Sequence, residues 1–182
     1  GIVTATISAG NINGAGGLSG LDDDNGNPDV NAYTITVTDA SAAAADLATL
    51  DLRTTVAVNA DAVTTITGTE TAIRNAVAAA GISDLSAKNF NVNAGADIAD
   101  GNLASFLALT TGTVTATVAA DTYTNLSAAG CITETGHALA LDITDATVDA
   151  AAVNNLRAKT TGVVNVRATT INGTASDVAS IF

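Results

Sequence analysis

Ala45-Asp-Leu-Ala-Thr-Leu-Asp-Leu-Arg-Thr-Thr55 is a segment that recurs twice more, as Gly101-Asn-Leu-Ala-Ser-Phe-Leu-Ala-Leu-Thr-Thr111 and as Ala151-Ala-Val-Asn-Asn-Leu-Arg-Ala-Lys-Thr-Thr161. In each copy two apolar residues stand three positions apart, which is the spacing of one helix face. The pairs are Leu47 and Leu50, Leu103 and Phe106, and Val153 and Leu156. The copies end at positions 55, 111 and 161, so the chain repeats with a period of about 50 residues.

Alternating apolar and polar residues lie on both sides of each predicted helix, as expected of half-buried strands. They occur before the helix at Ile35–Ala40, Phe90–Gly95 and Leu141–Ala146, and after it at Val56–Ala60, Val114–Val118 and Val164–Ala168. Val3-Thr-Ala-Thr-Ile7 matches the Val114 run, so the first residues fit the same scheme. Strands separated by helices pair in parallel. We therefore predict an α/β repeat solenoid in which about seven parallel strands alternate with short Ala-rich helices.

The repeat boundaries predict a single solenoid array over residues 1–182. It contains a partial repeat at 1–30 and repeats at about 31–87, 88–137 and 138–182. Three helix starts are also predicted. Ser41 is placed to cap the first helix, Thr69-Glu70 opens a helical run through Ile73, and Thr174-Ala-Ser-Asp177 fits a capping box before Val178.

Composition excludes several classes of function. The chain has 18 acidic and 6 basic residues in 182 and a net charge of -12, which opposes binding to nucleic acid or anionic lipid. Its longest nearly apolar run, Ala76–Ile82, is too short to cross a bilayer, so we expect no membrane insertion. The one cysteine, Cys131, cannot form a disulfide within the chain.

The repeats resemble those of very large surface and secreted proteins of marine cyanobacteria and their phages. The resemblance covers Tyr33 to Phe182 and rests on Ala44-Ala-Asp-Leu-x-x-Leu50, on the Thr-Thr-Gly-x-Val steps at Thr110–Val114 and Thr160–Val164, and on Val63-Thr-Thr-Ile-Thr-Gly-Thr69. It implies an extracellular, multi-repeat, structural or adhesive role, and it implies no catalytic residues.

The best candidate site is the acidic loop Leu21-Asp-Asp-Asp-Asn-Gly-Asn-Pro-Asp29. Ca²⁺ prefers carboxylate and carbonyl oxygens in a flexible loop. Such oxygens are offered by Asp22, Asp24, Asn25, Asn27 and Asp29. The loop does not fit the EF-hand pattern, because a start at Asp22 puts Tyr33 where that loop needs Glu. A solvated turn around Asn25-Gly26 and Pro28 is the alternative interpretation.

A second cluster, Cys131-Ile-Thr-Glu-Thr-Gly-His137, holds a thiol, a carboxylate and an imidazole close together. The other repeats have no equivalent and the chain has no second His, whereas zinc sites need three or four protein ligands. We therefore interpret this segment as a loop between repeats. No paired carboxylates suggest a glycosidase, so we expect no enzymatic activity.

These observations favour a non-catalytic structural segment of an extracellular surface, filament or fibre protein, at the cell or virion surface. Neither end shows a polar cap, so we expect strand edges and apolar helix faces to be exposed around Ile2 to Ile7 and Val178 to Phe182. We therefore expect head-to-tail association with neighbouring repeats. The alternative is a binding or adhesion module for a glycan, a surface or Ca²⁺.

Overall fold

The computed structural model describes residues 2–7, 10–12, 17–21, 31–128 and 135–182. These residues form an α/β fold of short strands and short helices in which the strand pairs are parallel, as predicted. The strands are β1 Thr4–Thr6, β2 Ala32–Thr34, β3 Ser41–Ala43, β4 Thr65–Gly68, β5 Asn89–Val92, β6 Val114–Thr117, β7 Ala138–Ile143, β8 Thr147–Asp149, β9 Val164–Val166 and β10 Thr170–Asn172. The α-helices are α1 Ala44–Asp51, α2 Glu70–Ala78, α3 Asp100–Leu107, α4 Tyr123–Ala128, α5 Ala150–Arg157 and α6 Ala175–Ala179.

The three copies of the recurring segment form α1, α3 and α5, each eight residues long. Their predicted apolar pairs are all buried: Leu47 and Leu50, Leu103 and Phe106, Val153 and Leu156. The predicted cap is wrong. Ser41 lies in β3, and the residue before α1 is Ala43, which makes no side-chain cap. A strand therefore runs directly into the helix and leaves no room for a capping turn.

The other three helices each follow a threonine that caps them. The hydroxyl oxygens of Thr69, Thr122 and Thr174 accept the backbone N–H three residues later, at 3.2, 3.3 and 3.2 Å. The predicted cap at Thr174 is confirmed, and its hydroxyl also donates to Asp177. The caps stand at positions 69, 122 and 174, so the second half of the repeat keeps the same period as the first.

Two compact units divide the chain: residues 1–91 with 109–112, and residues 92–108 with 113–182. In the first unit β1 pairs with β2 and β3 pairs with β4, and α1 packs on α2. Isolated parallel bridges join Gly10 to Val37, Thr36 to Asn59 and Val58 to Ile82. The core of this unit is aliphatic, with Ile35, Leu47, Ile66 and Ile73 fully buried.

In the second unit β7 lies between β6 and β9, and β8 pairs separately with β10. The helix α5 packs against both α4 and α6. The core of this unit includes the buried side chains of Phe106, Leu126, Ile143 and Val153.

The predicted strands are only partly correct. Phe90, Val114, Leu141 and Val164 lie in strands, but Val3, Ile35 and Val56 do not. The strands are shorter and more numerous than seven, and the described residues arrange them in three separate sheets rather than one continuous ladder. The chain bends at Ala40 and at Ala146, immediately before the short strands β3 and β8.

None of the helices in the described part of the chain is long and apolar enough to cross a membrane.

Candidate functional site

The predicted calcium loop lies outside the described residues. The proposed ligands all fall within it: Asp22, Asp24, Asn25, Asn27 and Asp29. Within the described ranges, no three His, Cys, Asp or Glu side chains are grouped closely enough to hold a metal ion. The Ca²⁺ site therefore stays a prediction of the sequence.

Of the second cluster, Cys131 and Glu134 also lie outside the described residues, whereas His137 is described. His137 is only 6% exposed, and its Nδ1 accepts the backbone N–H of Val114 at 3.1 Å. The interpretation of this segment as a loop between repeats stays a prediction for Cys131 to Glu134, and His137 lies in coil immediately before β7, where its side chain is buried.

A threonine hydroxyl joins neighbouring segments at three equivalent places. The hydroxyl of Thr54 donates to the carbonyl of Tyr33 at 2.7 Å and accepts the Tyr33 N–H at 2.9 Å. Thr160 makes the same pair of bonds with Leu139, both at 2.8 Å. Thr110 donates to the carbonyl of Lys88 at 2.5 Å. We call these three residues the threonine latches.

Each latch also fixes the turn that follows it, because its oxygen accepts the N–H two residues later. The acceptor distances are 3.1 Å from Val56, 2.9 Å from Gly112 and 2.9 Å from Gly162. A Cβ on Gly112 would come within 2.5 Å of the Lys88 carbonyl oxygen, so this position needs glycine. These contacts explain the recurring Thr-Thr-Gly step. The first repeat carries Val56 there.

An ion pair lies on the surface of the second unit, where the Arg167 guanidinium forms a bidentate contact with the Asp142 carboxylate. The hydrogen bond from Arg167 lowers the pKa of Asp142 below its ordinary value of 3.8, burial partly opposes this, and the positive charge adds to it. The same contact raises the pKa of Arg167. The pair joins β7 to the residue that follows β9.

The helix α6 presents a half-covered apolar face. The fourth residue after each threonine cap is Ile73 in α2, Leu126 in α4 and Val178 in α6. Ile73 and Leu126 are 0% exposed, whereas Val178 is half-buried and α6 has no buried residue. Arg157 holds α6 to α5 by donating to the carbonyls of Ser180 and Ile181.

The difference in burial has a direct cause in the second unit. The helix α4 contacts α5 and β7, which both come later in the chain, so the following segment covers Leu126. The helix α6 packs against α5, which precedes it in the chain. The face of α6 that carries Val178, together with Ile181 and the 94% exposed Phe182, is our candidate functional site.

The sequence predicted an apolar surface that seeks a partner around Val178 to Phe182. The alignment of Thr69, Thr122 and Thr174 adds that Val178 stands at the repeat position of Ile73 and Leu126. Comparison of the chain with protein-family models, with curated proteins and with solved structures gave no match.

Proposed function

We propose that this chain is a non-catalytic structural repeat segment of an extracellular surface, filament or fibre protein, and that it associates with its neighbours by end-to-end stacking. The single observation that carries the proposal is the half-covered Val178, which stands where Ile73 and Leu126 are fully buried. Burying an apolar side chain of this size is favourable by about 1.5–3 kcal/mol. A further repeat on α6 would gain the part of that energy that the half-buried Val178 does not yet have.

A repeating winding of the chain supports the proposal. Hydrogen bonds between segments join residues 21 positions apart at Tyr33 and Thr54 and at Leu139 and Thr160, and 28 positions apart at Val3 and Asn31. Each segment thus contacts the one that follows it by roughly two dozen residues, which is the contact pattern of a stacked repeat array. We therefore retain the α/β solenoid, with two such turns in each repeat of about 50 residues, as part of the proposal.

The acidic surface supports association along one direction. With a net charge of -12, neighbouring molecules repel each other side by side at low ionic strength. A head-to-tail contact repeats without limit unless rotation closes it into a ring. Extracellular placement rests on the resemblance of the repeats to those of surface proteins.

The test compares Val178→Asp with Ala179→Asp, an exposed neighbour on the same helix that receives the same charge. Sedimentation velocity and small-angle scattering over a concentration series should show elongated oligomers of the wild type and of Ala179→Asp. Val178→Asp should remain monomeric, and far-ultraviolet circular dichroism should show that it is folded. A wild type that stays compact and monomeric at every concentration would refute stacking of this chain on itself.

A further inference from the structure

The strand β9 has an edge whose backbone groups point away from its one partner. On the β7 side, the Leu141 N–H donates to the Val163 carbonyl at 2.9 Å and the Arg167 N–H donates to the Ile143 carbonyl at 3.0 Å. The N–H and C=O of one strand residue point to the same side, and successive residues alternate. The backbone groups of Val164 and Val166 therefore point to the opposite edge. In the described part of the chain, β9 is the last strand of its sheet.

Three backbone N–H groups earlier in the chain show which acceptors bind an N–H in this position. The Val3 N–H donates to Asn31 Oδ1 at 2.8 Å. The Val58 N–H donates to the Gly81 carbonyl at 2.7 Å, and the Val114 N–H donates to His137 Nδ1 at 3.1 Å. In all three cases the acceptor belongs to the segment that follows in the chain.

Val164 is the fourth position of this kind. Thr110-Thr-Gly-Thr-Val114 and Thr160-Thr-Gly-Val-Val164 have the same spacing from the latch to the valine. Val114 begins β6 and Val164 begins β9. The strand β6 pairs in parallel with β7. The geometry of β6 thus indicates which kind of segment fits against β9.

The two side-chain acceptors, Asn31 and His137, differ in chemistry but occupy similar positions in the fold. Asn31 is 2% exposed and His137 is 6% exposed, and each stands immediately before a strand, β2 and β7. Each also uses its backbone carbonyl to accept an N–H at 2.9 Å, from Thr55 and Thr161. A buried N–H that lacks an acceptor is destabilising, so the acceptor selects the segment that can dock.

We propose that the open edge of β9 is a strand-addition site for a further repeat of this type. The incoming segment pairs in parallel and carries Asn or His immediately before its strand, where that side chain accepts the Val164 N–H. Backbone pairing provides the affinity, and the buried acceptor provides the selectivity. This inference rests on the proposed stacking and names the contact that determines which partner is accepted.

The first experiment uses the full chain with ¹⁵N labelling and a synthetic peptide of residues 31–39, Asn-Ala-Tyr-Thr-Ile-Thr-Val-Thr-Asp. Titration should shift the amide resonances of Val164 and Val166. A peptide with Asn31→Leu should bind at least about tenfold more weakly, which corresponds to the loss of about 1.4 kcal/mol. If the peptide does not bind, or if Asn31→Leu binds equally well, the proposal is wrong.

The second experiment removes the donor from the protein. Val164→Pro deletes the outward N–H, and proline is tolerated on an edge strand when that N–H is not used inside the sheet. Val164→Ala is the control, since it shortens the side chain and keeps the N–H. Val164→Pro should keep a melting temperature near that of Val164→Ala and lose the peptide-induced shift at Val166, whereas Val164→Ala should retain the shift.

The outcomes separate this inference from the proposed function. Elongated oligomers of both Val164→Pro and wild type would contradict strand addition and leave stacking through α6 intact. A wild type that binds the peptide yet never forms oligomers would support strand addition and contradict self-stacking. If Val164→Pro does not fold, the comparison of the two peptides on the wild type still decides the question.

Discussion

At the scale of single residues, the buried polar groups of this protein connect segments that are distant in sequence. Thr54 joins Tyr33, Thr160 joins Leu139, and His137 joins Val114. Among the described residues, no buried side-chain nitrogen or oxygen lacks a hydrogen-bond partner. Because most of the core is aliphatic and aliphatic contacts are not directional, such hydrogen bonds set the alignment of one segment on the next.

His137 and Asn31 predict a pair of substitutions with different results. His137→Leu leaves the buried Val114 N–H without its acceptor and should lower the free energy of unfolding by about 1–3 kcal/mol. His137→Asn should lose distinctly less, since Asn31 binds the equivalent N–H of Val3 with an amide oxygen. Urea denaturation of the two variants measures the difference. Equal losses would show that His137 acts by filling space rather than by accepting a hydrogen bond.

The Asp142 and Arg167 pair predicts a small pH dependence of stability. Because the pKa of Asp142 is lowered in the folded protein, the carboxylate stabilises the fold above its ordinary value of 3.8, and that contribution is lost as the pH falls through the lowered pKa. The contribution is small because Arg167 is exposed and screened by salt. At neutral pH, Asp142→Asn should melt slightly below wild type, and the gap should close in strong acid. Asp97→Asn, an exposed position, is the control and should show no such gap.

At the scale of elements, replacement of two glycines by alanine should change the stability of the fold in opposite directions, because the glycines lie in different surroundings. A Cβ on Gly162 would lie 2.2 Å from the carbonyl oxygen of Leu139, so Gly162→Ala must push β9 away from β7 and should destabilise the fold. Gly101 lies in α3 with nothing within 4 Å of its Cβ position. Gly101→Ala should stabilise by about 0.5–1 kcal/mol, because glycine is costly inside a helix. Thermal melts of both variants test the close contact between Gly162 and the Leu139 carbonyl. An unchanged melting temperature of Gly162→Ala would contradict it.

The helices were predictable from sequence because their pattern is local. Leu47 and Leu50 sit three residues apart and recur with one period, and α1, α3 and α5 follow from that spacing. The short strands β3 and β8 were not predictable in the same way. Ser41-Ala-Ala43 contains no β-branched residue, and it is extended because its backbone pairs with Thr65–Thr67, a contact that depends on the fold.

The connecting residues were missed for a different reason. Asn31 and His137 share an acceptor atom rather than a residue type, so comparison of side chains does not align them. Their spacing aligns them, since each residue stands 23 positions before its threonine latch, Thr54 or Thr160. The half-covered Val178 depends on burial, which only the packing of α4, α5 and α6 reveals.

At the scale of the whole molecule, charge dominates the response to cations. A chain with a net charge of -12 is stabilised by almost any divalent cation through screening of its own repulsion. Stabilisation by Ca²⁺ alone is therefore weak support for a specific site. The acidic residues 22–29 lie outside the described part of the chain, so their role as ligands must be tested against this general effect.

The decisive comparison is between two charge-matched double variants. Asp22→Ala with Asp24→Ala removes two predicted Ca²⁺ ligands, and Asp61→Ala with Asp97→Ala removes the same charge from exposed positions elsewhere. A ligand that binds only the folded form at 100 times its Kd stabilises it by about 2.7 kcal/mol. If Asp22 and Asp24 hold Ca²⁺, a chelator should lower the melting temperature of wild type and of the Asp61/Asp97 variant but not that of the Asp22/Asp24 variant. Mg²⁺ should not replace Ca²⁺, because it demands a stricter octahedral geometry and keeps its water ligands. Equal responses of both variants, or equal effects of both metals, would assign the stabilisation to screening of the whole acidic chain and remove the loop from the account of its function.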